Sequence, residues 1–214
     1  MKKLVLLFAA LLVTSCGEKS SSEGSESASE KPTPPGEDVK PSADSPEPLI
    51  SDADVERFAK DAMDIEAARP PADYNGWTKI VSGGRLRELM QWKNGKPDGP
   101  STMWHENGQK SLETTNKDGK QDVLETEWHE NGQKKSEETW KDGKADGPAT
   151  MWHENGQKQA EGAAKDGKPD GLWTMWHENG QKQAEATFKD GEQVSGKYWN
   201  SKGEEVETRE EAEN

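Results

Sequence analysis

The sequence predicts an all-β fold: an elongated antiparallel meander of β-hairpins, with a short N-terminal helix and disordered flanks. The main observation is a heptapeptide, Trp-His-Glu-Asn-Gly-Gln-Lys, that recurs every 24 residues and begins at Trp104, Trp128, Trp152 and Trp176. A second turn sequence, Lys-Asp-Gly-Lys or a close relative, begins at Lys117, Lys141, Lys165 and Lys189. Because Asn-Gly and Asp-Gly accept positive φ at both centres of a type I′ turn, each period predicts two strands and two turns.

The N-terminal 15 residues are typical of a bacterial export signal. Lys2 and Lys3 precede an apolar stretch over residues 4–13 that is short for a membrane span. The following Val-Thr-Ser-Cys, ending at Cys16, resembles the lipobox of bacterial lipoproteins, and Cys16 is the only cysteine. That resemblance implies cleavage before Cys16 and attachment of diacylglycerol, with further acyl chains such as palmitate, so the membrane is an expected partner. Gly17 rather than aspartate follows, which favours the outer membrane of a Gram-negative envelope.

The segments between the signal and the repeats have distinct compositions. Residues 16–50 are rich in Ser, Glu, Pro and Gly, and are predicted to be a disordered tether. Residues 51–69 predict a short amphipathic helix capped by Ser51 and stopped by Pro70 and Pro71, which we expect to cover the first edge of the sheet. The repeat sheet is predicted over residues 74–203, and residues 204–214 form an acidic tail.

The repeats resemble the MORN-repeat variant of YwqK-type bacterial proteins. The pattern is approximately Gly-x-Trp-x-x-aromatic-x-x-Asn-Gly followed by Glu-x-x-aromatic-x-x-Gly-Lys. The best-matching copy contains Gly171, Leu172, Trp173, Trp176, Asn179, Gly180, Glu185, Phe188 and Gly191. Other copies depart from it, since Ser101, Glu125 and Ala149 replace the first Trp. The resemblance implies an interaction or membrane-associated module, and for some members an antitoxin role.

Strand alternation sorts the repeat side chains onto two faces. If Asn107-Gly108 is a two-residue turn, Met103 pairs with Leu112, Trp104 with Ser111 and His105 with Lys110. An inner face is then predicted from Met103, Met151, Met175, Trp173, Leu112, Ala160, Ala184, Trp140 and Phe188. The other face carries a candidate binding strip of Trp104, Trp128, Trp152, Trp176, Glu113, Glu137, Glu161 and Glu185. The tryptophans of this strip either cover backbone in a thin sheet or dock an extended peptide, a glycan or a partner sheet.

We expect neither a metal site, a cofactor nor an active site. His105, His129, His153 and His177 lie one period apart, hence about 9.5 Å across two strands, whereas ligands of one zinc ion lie about 2 Å from it. No nucleophile motif or phosphate-binding glycine loop is present. A chemistry repeated identically in four copies would also be unusual for an enzyme.

The charge distribution excludes a nucleic-acid partner. The chain has a formal charge of -14, but residues 92–203 hold 16 positive and 20 negative charges, so the repeats are nearly neutral and present no basic surface. The leading hypothesis is therefore a lipid-anchored, non-catalytic repeat module that offers a protein-interaction or scaffolding surface at the cell envelope. The alternatives are a YwqK-type antitoxin or immunity protein that neutralises a toxin, and a glycan-binding accessory protein.

Overall fold

The repeats form one continuous antiparallel sheet, which confirms the predicted fold class. The structure is a computed structural model that describes residues 50–65 and 69–213. The predicted signal peptide, Cys16 and nearly all of the tether lie outside the described residues. The strands are β1 Met63–Asp64, β2 Gly76–Ser82, β3 Arg85–Lys93, β4 Lys96–Trp104, β5 Lys110–Lys117, β6 Lys120–Gln121, β7 Val123–Trp128, β8 Lys134–Lys141, β9 Lys144–Trp152, β10 Lys158–Lys165, β11 Lys168–Trp176, β12 Lys182–Lys189, β13 Glu192–Trp199 and β14 Glu205–Val206. Apart from β6, which pairs with β5, the strands are ordered in space as they are in sequence.

The Lys-Asp-Gly-Lys turns have the predicted geometry. Asp118 and Gly119 have φ values of 49° and 85°, and Lys117 pairs directly with Lys120. Positive φ at both central residues defines a type I′ turn, whose twist matches that of the flanking strands. The later copies repeat this conformation at Asp142, Asp166 and Asp190.

The Trp-His-Glu-Asn-Gly loops differ from the prediction. In residues 105–109 only Gly108 has a positive φ, 90°, and its N–H donates to the His105 carbonyl at 3.0 Å. This is a type I turn followed by a bulge glycine, and it contains one more residue than a type I′ turn. Met103 does pair with Leu112, but Trp104 pairs with Lys110, so the predicted pairing of Trp104 with Ser111 and of His105 with Lys110 is wrong.

The sheet has two faces that its register defines. The first, here the methionine face, includes Met103, Leu112, Met151, Ala160, Met175 and Ala184, which share one face as predicted. Glu127 and Ser136 lie between Leu112 and Met151 in this row. The second, here the threonine face, carries a row in which threonine and glutamate alternate from strand to strand: Thr102, Glu113, Thr126, Glu137, Thr150, Glu161, Thr174 and Glu185.

The methionine face contains the best-buried large side chain of the repeats. Trp173 is 0% exposed, and its indole lies directly over Gly162, where a Cβ atom would fall 2.2 Å from Trp173 Cδ2. The indole Nε1–H donates to the Ala163 carbonyl at 2.9 Å. Small residues surround it, because Ala149 and Ala186 are also buried. The close packing therefore depends on a large residue facing a glycine.

Charged residues on the same face were not predicted. Glu125, Glu127 and Glu138 are each at most 6% exposed, and Glu125 lies directly opposite Glu138. Glu127 forms an ion pair with Lys135 at 3.3 Å. Farther toward the N-terminus, burial raises the pKa of the Glu88 carboxyl. The methionine face is therefore apolar over β9 to β12 but acidic over β7 and β8.

The N-terminal helix covers the sheet in a different way from the one expected. Helix α1, Asp52–Asp61, begins at Ser51, whose hydroxyl accepts the Asp54 N–H as a cap. Phe58 stacks on Trp77 of β2 at a centroid distance of 4.5 Å, so the helix packs on a face of the sheet. The edge of β2 is instead covered by β1, which pairs with Thr78 and Lys79 in parallel.

The C-terminal residues have more regular structure than their acidic composition predicted. Strand β14 pairs with Tyr198 and Trp199 of β13. Helix α2, Arg209–Ala212, follows with a capping box in which Thr208 and Glu211 satisfy each other's backbone N–H groups. Ala212 is fully buried. Among the described residues, no helix combines the length and apolar character needed to cross a membrane.

Val123 interrupts the regular pattern of the array. The corresponding position in the other copies is Gly99, Gly147 or Gly171, all with positive φ, and Val123 adopts the same region with φ of 88°. A β-branched side chain is strained there, at a cost of about 1–3 kcal/mol. Val123→Gly relieves this strain, but glycine loses more conformational entropy on folding than valine does. We therefore expect a net rise of about 1 kcal/mol in the free energy of unfolding.

Gly171→Val is the matched reverse change, because a Cβ at Gly171 meets nothing within 4 Å and the backbone has a φ of 78°. It should destabilise by about 1–3 kcal/mol through backbone strain alone. Denaturant unfolding of both variants and wild type measures the two effects. Equal stability of all three proteins would contradict the assignment of strain to this position.

Candidate functional site

The candidate strip of tryptophan and glutamate lies on the threonine face. The register places Glu113, Glu137, Glu161 and Glu185 between threonines of the neighbouring strands. The four tryptophans are the last residues of strands β4, β7, β9 and β11, and all four are partly buried. The structure thus brings the two predicted residue types together at one end of the strands.

A lysine joins them, and it was absent from the predicted strip. Lys134 Nζ lies 2.5 Å from Glu137 Oε1 and 5.8 Å from the ring centre of Trp152 on the next strand. The ion pair recurs from Lys110 to Glu113, Lys158 to Glu161 and Lys182 to Glu185, and the ring contact recurs from Lys158 to Trp176 and Lys182 to Trp199. The sequence signal was available, since this lysine is the last residue of each heptapeptide.

The lysines change the chemistry expected of the strip. Each glutamate is neutralised, so the strip is polar and aromatic rather than acidic. Partly exposed ion pairs contribute about 0.2–1 kcal/mol and exposed cation–π contacts about 0.5–1 kcal/mol, so each unit stabilises the contact between neighbouring strands modestly. An ammonium group over Trp152 also occupies an indole face that a sugar ring would need for stacking.

The strip becomes more accessible toward the C-terminal repeats. The glutamate side chain is 6% exposed at Glu113 and 21% at Glu137, but 49% at Glu161 and 33% at Glu185. The partner lysines show the same trend, from 20% at Lys110 to 42% at Lys182. A ligand of this strip would therefore reach the later repeats more readily than the first.

The histidines have a structural role in stacking the loops. His105 Nε2 lies 2.9 Å from the Trp128 carbonyl of the next repeat, and because a carbonyl only accepts, Nε2 carries the proton. Asn107 Nδ2 donates to the Glu130 carbonyl at 2.6 Å, while its Oδ1 accepts the Gln109 N–H. The same bonds link His129, His153, His177, Asn131, Asn155 and Asn179 to the loops that follow them.

No metal centre is found in the part of the chain that the structure describes: it contains no group of three or more His, Cys, Asp or Glu side chains placed to hold an ion. The histidine ring nitrogens that face the neighbouring loops are already hydrogen-bonded to carbonyls. The predicted lipidation site, Cys16, lies outside the described residues and stays a prediction.

The fold and its stacked loops define a β-hairpin repeat protein. The family model of the MORN repeat variant matches three consecutive segments of the chain, residues 121–142, 145–166 and 169–190. Each segment begins 24 residues after the previous one, which is the period of the heptapeptide. Repeats of this class are non-catalytic modules associated with protein and membrane interaction. No curated protein matches the chain.

Proposed function

We propose that this protein is a lipid-anchored component of the cell envelope that presents its repeat sheet as a protein-interaction surface. Acylation of Cys16 would anchor it, residues 17–50 would act as a tether, and the outer membrane is the favoured location in a Gram-negative cell. A diacylglycerol with a further acyl chain meets the requirement that stable anchoring needs more than one lipid signal.

The observation that carries the interaction function is the repetition of one surface unit. Lys, Glu and Trp recur together on the threonine face, and the units of the later repeats are the more exposed. An extended protein partner can contact several equivalent units at once, so weak contacts add. The paired charges and covered indoles favour such a partner over a glycan.

The proposed function is tested by capture of a partner from solubilised membranes, with the lipidated full-length protein as bait. The matched control is the same lipidated chain with Lys158→Glu and Lys182→Glu, which reverses the charge of two exposed lysines of the strip. A protein enriched on wild type and depleted on the control supports the proposal. Equal recovery of all proteins on both baits contradicts it, and a toxin as the captured protein would identify an immunity role.

Binding should fall stepwise with repeat number. Deleting residues 129–152 removes one whole period and preserves the hairpin register, because each unit of a repeat array contacts mainly its neighbours. The shortened array should remain folded and bind the captured partner more weakly by several-fold. Trp152→Ala, in the middle of the strip, should weaken binding more than Trp104→Ala at its start.

Circular dichroism must show a β-sheet spectrum for each of these variants before binding is compared. Titration of the captured partner then gives the affinities. If the shortened array and both tryptophan variants bind as tightly as wild type, the strip only stabilises the sheet and does not bind.

A further inference from the structure

The last repeat of the array is incomplete, and this leaves part of a strand edge open. Strand β13 pairs with β12 along its length, from Lys189 and Glu192 to Ala184 and Tyr198. On its other side, β14 pairs only with Tyr198 and Trp199. Residues 193–197 therefore have no strand partner on this side among the described residues.

The open edge is accessible. Val194 is 61% exposed, which makes it the most exposed large hydrophobic residue among those described, and residues 195–197 are exposed as well. Helix α2 contacts β12 and β13 as well as β14. Because β12 lies on the side of β13 away from the open edge, α2 lies over a face of the sheet.

The array itself shows what is missing there. In the preceding repeat, Met175 pairs with Ala184 and Trp176 with Lys182, and β12 then continues to Phe188 opposite Gly171. The last repeat begins in a similar way, with Tyr198 opposite Val206 and Trp199 opposite Glu205 but without the bulge of the preceding repeat, and then stops. The vacant positions correspond to residues 185–188 of β12.

The opposite end of the sheet offers no equivalent opening at its centre. Thr78 and Lys79 of β2 are paired with β1, and the Ile65 N–H donates to the Lys79 carbonyl at 2.9 Å. Natural sheets usually protect their edges in this manner, because unpaired strand groups recruit other strands. On β13 the paired residues lie at one end of the strand, so the centre of this edge is the part suited to recruiting a partner strand.

We propose that β13 accepts an extended segment of a protein partner, which pairs antiparallel with residues 193–197 and completes the last repeat. The segment would place small or aromatic apolar side chains on the methionine face, beside Tyr198, and an acidic side chain opposite Lys197 on the threonine face, as Glu185 lies opposite Lys197 from the other side. Backbone hydrogen bonds supply affinity in such strand addition, and alternate side chains supply specificity. This inference rests on the proposed interaction function and names its surface.

The probe is a synthetic peptide with the sequence of residues 182–189, Lys-Gln-Ala-Glu-Ala-Thr-Phe-Lys, whose residues 185–188 are the array's own sequence for the vacant positions. Fluorescently labelled peptide should bind the full chain in an anisotropy titration. Two N-methylated peptides, each blocked at a different set of alternate amides, carry the same side chains. One of them should lose at least tenfold in affinity and the other should bind, because only one edge of the peptide faces β13.

A variant that fills the edge itself provides the matched control. Replacing residues 207–211 by the sequence of residues 185–189 continues β14 along β13, through Thr208→Ala, Arg209→Thr, Glu210→Phe and Glu211→Lys. This variant should keep its β-sheet circular dichroism spectrum and lose at least tenfold in peptide affinity. Full peptide binding by the filled variant, or equal binding of both N-methylated peptides, overturns the inference.

The same variant separates failure of this inference from failure of the proposed function. If the membrane partner is captured equally by wild type and the filled variant, the partner uses another surface and the edge proposal is wrong, while the interaction function stands. If no membrane protein is captured by wild type, the interaction function fails, whatever the peptide does.

Discussion

Replacing Trp173 by alanine is expected to lower the free energy of unfolding by about 3–5 kcal/mol, which is the usual cost of removing a buried aromatic side chain. The indole is fully buried, covers Gly162 and donates a hydrogen bond to the Ala163 carbonyl. Its removal opens a cavity over Gly162, which has no side chain to fill it. Denaturant unfolding, followed by circular dichroism, measures the loss.

Trp152→Ala is the matched control, since Trp152 is also a tryptophan of the repeat array but is only partly buried and has a lysine over one face of its ring. This substitution should lower the free energy of unfolding by clearly less than Trp173→Ala does. A second variant, Gly162→Ala, disturbs the same contact from the glycine side, because the added Cβ would fall 2.2 Å from Trp173 Cδ2. Equal free energies of unfolding for the Trp173→Ala and Trp152→Ala variants would show that the packing of Trp173 on Gly162 does not stabilise the sheet as described.

Changing Cys16 to serine is expected to move essentially all of the protein from the membrane fraction to the soluble fraction. The lipid would be attached through the thiol, and no other cysteine can replace it. A chain without acyl groups would lose the proposed anchor. Fractionation of cells, with metabolic labelling by an alkyne fatty acid, measures both location and acylation.

The folded part should be unaffected by this change, so the melting temperature of the released variant should equal that of wild type. Ser15→Ala is the matched control, because it changes a neighbouring residue and keeps the thiol. Wild-type protein that takes up no fatty-acid label, or a Cys16→Ser variant that remains in the membrane fraction, would contradict the lipid anchor.

The repeat period and the turn glycines were sufficient to predict the fold. Asp118 and Gly119 lie in the predicted type I′ turn, and Met103 pairs with Leu112 as alternation requires. These features are local, because a turn and the strands that it joins depend on residues close in sequence. The strained backbone of Val123 could also have been predicted, since Val123 stands where the other copies have glycine.

The candidate site was predicted in part. Tryptophan and glutamate share the threonine face, but the lysines that link them were missed because the two-residue turn assumed for Asn107-Gly108 gave the wrong pairing next to Trp104. Because the loop contains one residue more than assumed, Lys110 lies opposite Trp104, and the lysine of each later heptapeptide lies opposite its own tryptophan. The length of one loop therefore decides whether the lysines belong to the site.

The sequence by itself determined the repeat period, the alternation of the faces and the nearly balanced charge of the repeats, because each follows from periodicity or composition. Only the tertiary structure showed that Glu125 lies opposite Glu138, that α1 packs on a face rather than an edge, and that β13 is left partly unpaired. These features depend on how strands distant in sequence align and on where the last strand stops. Pairing between strands is decided by the sum of contacts across the whole sheet, which no single segment of the sequence specifies.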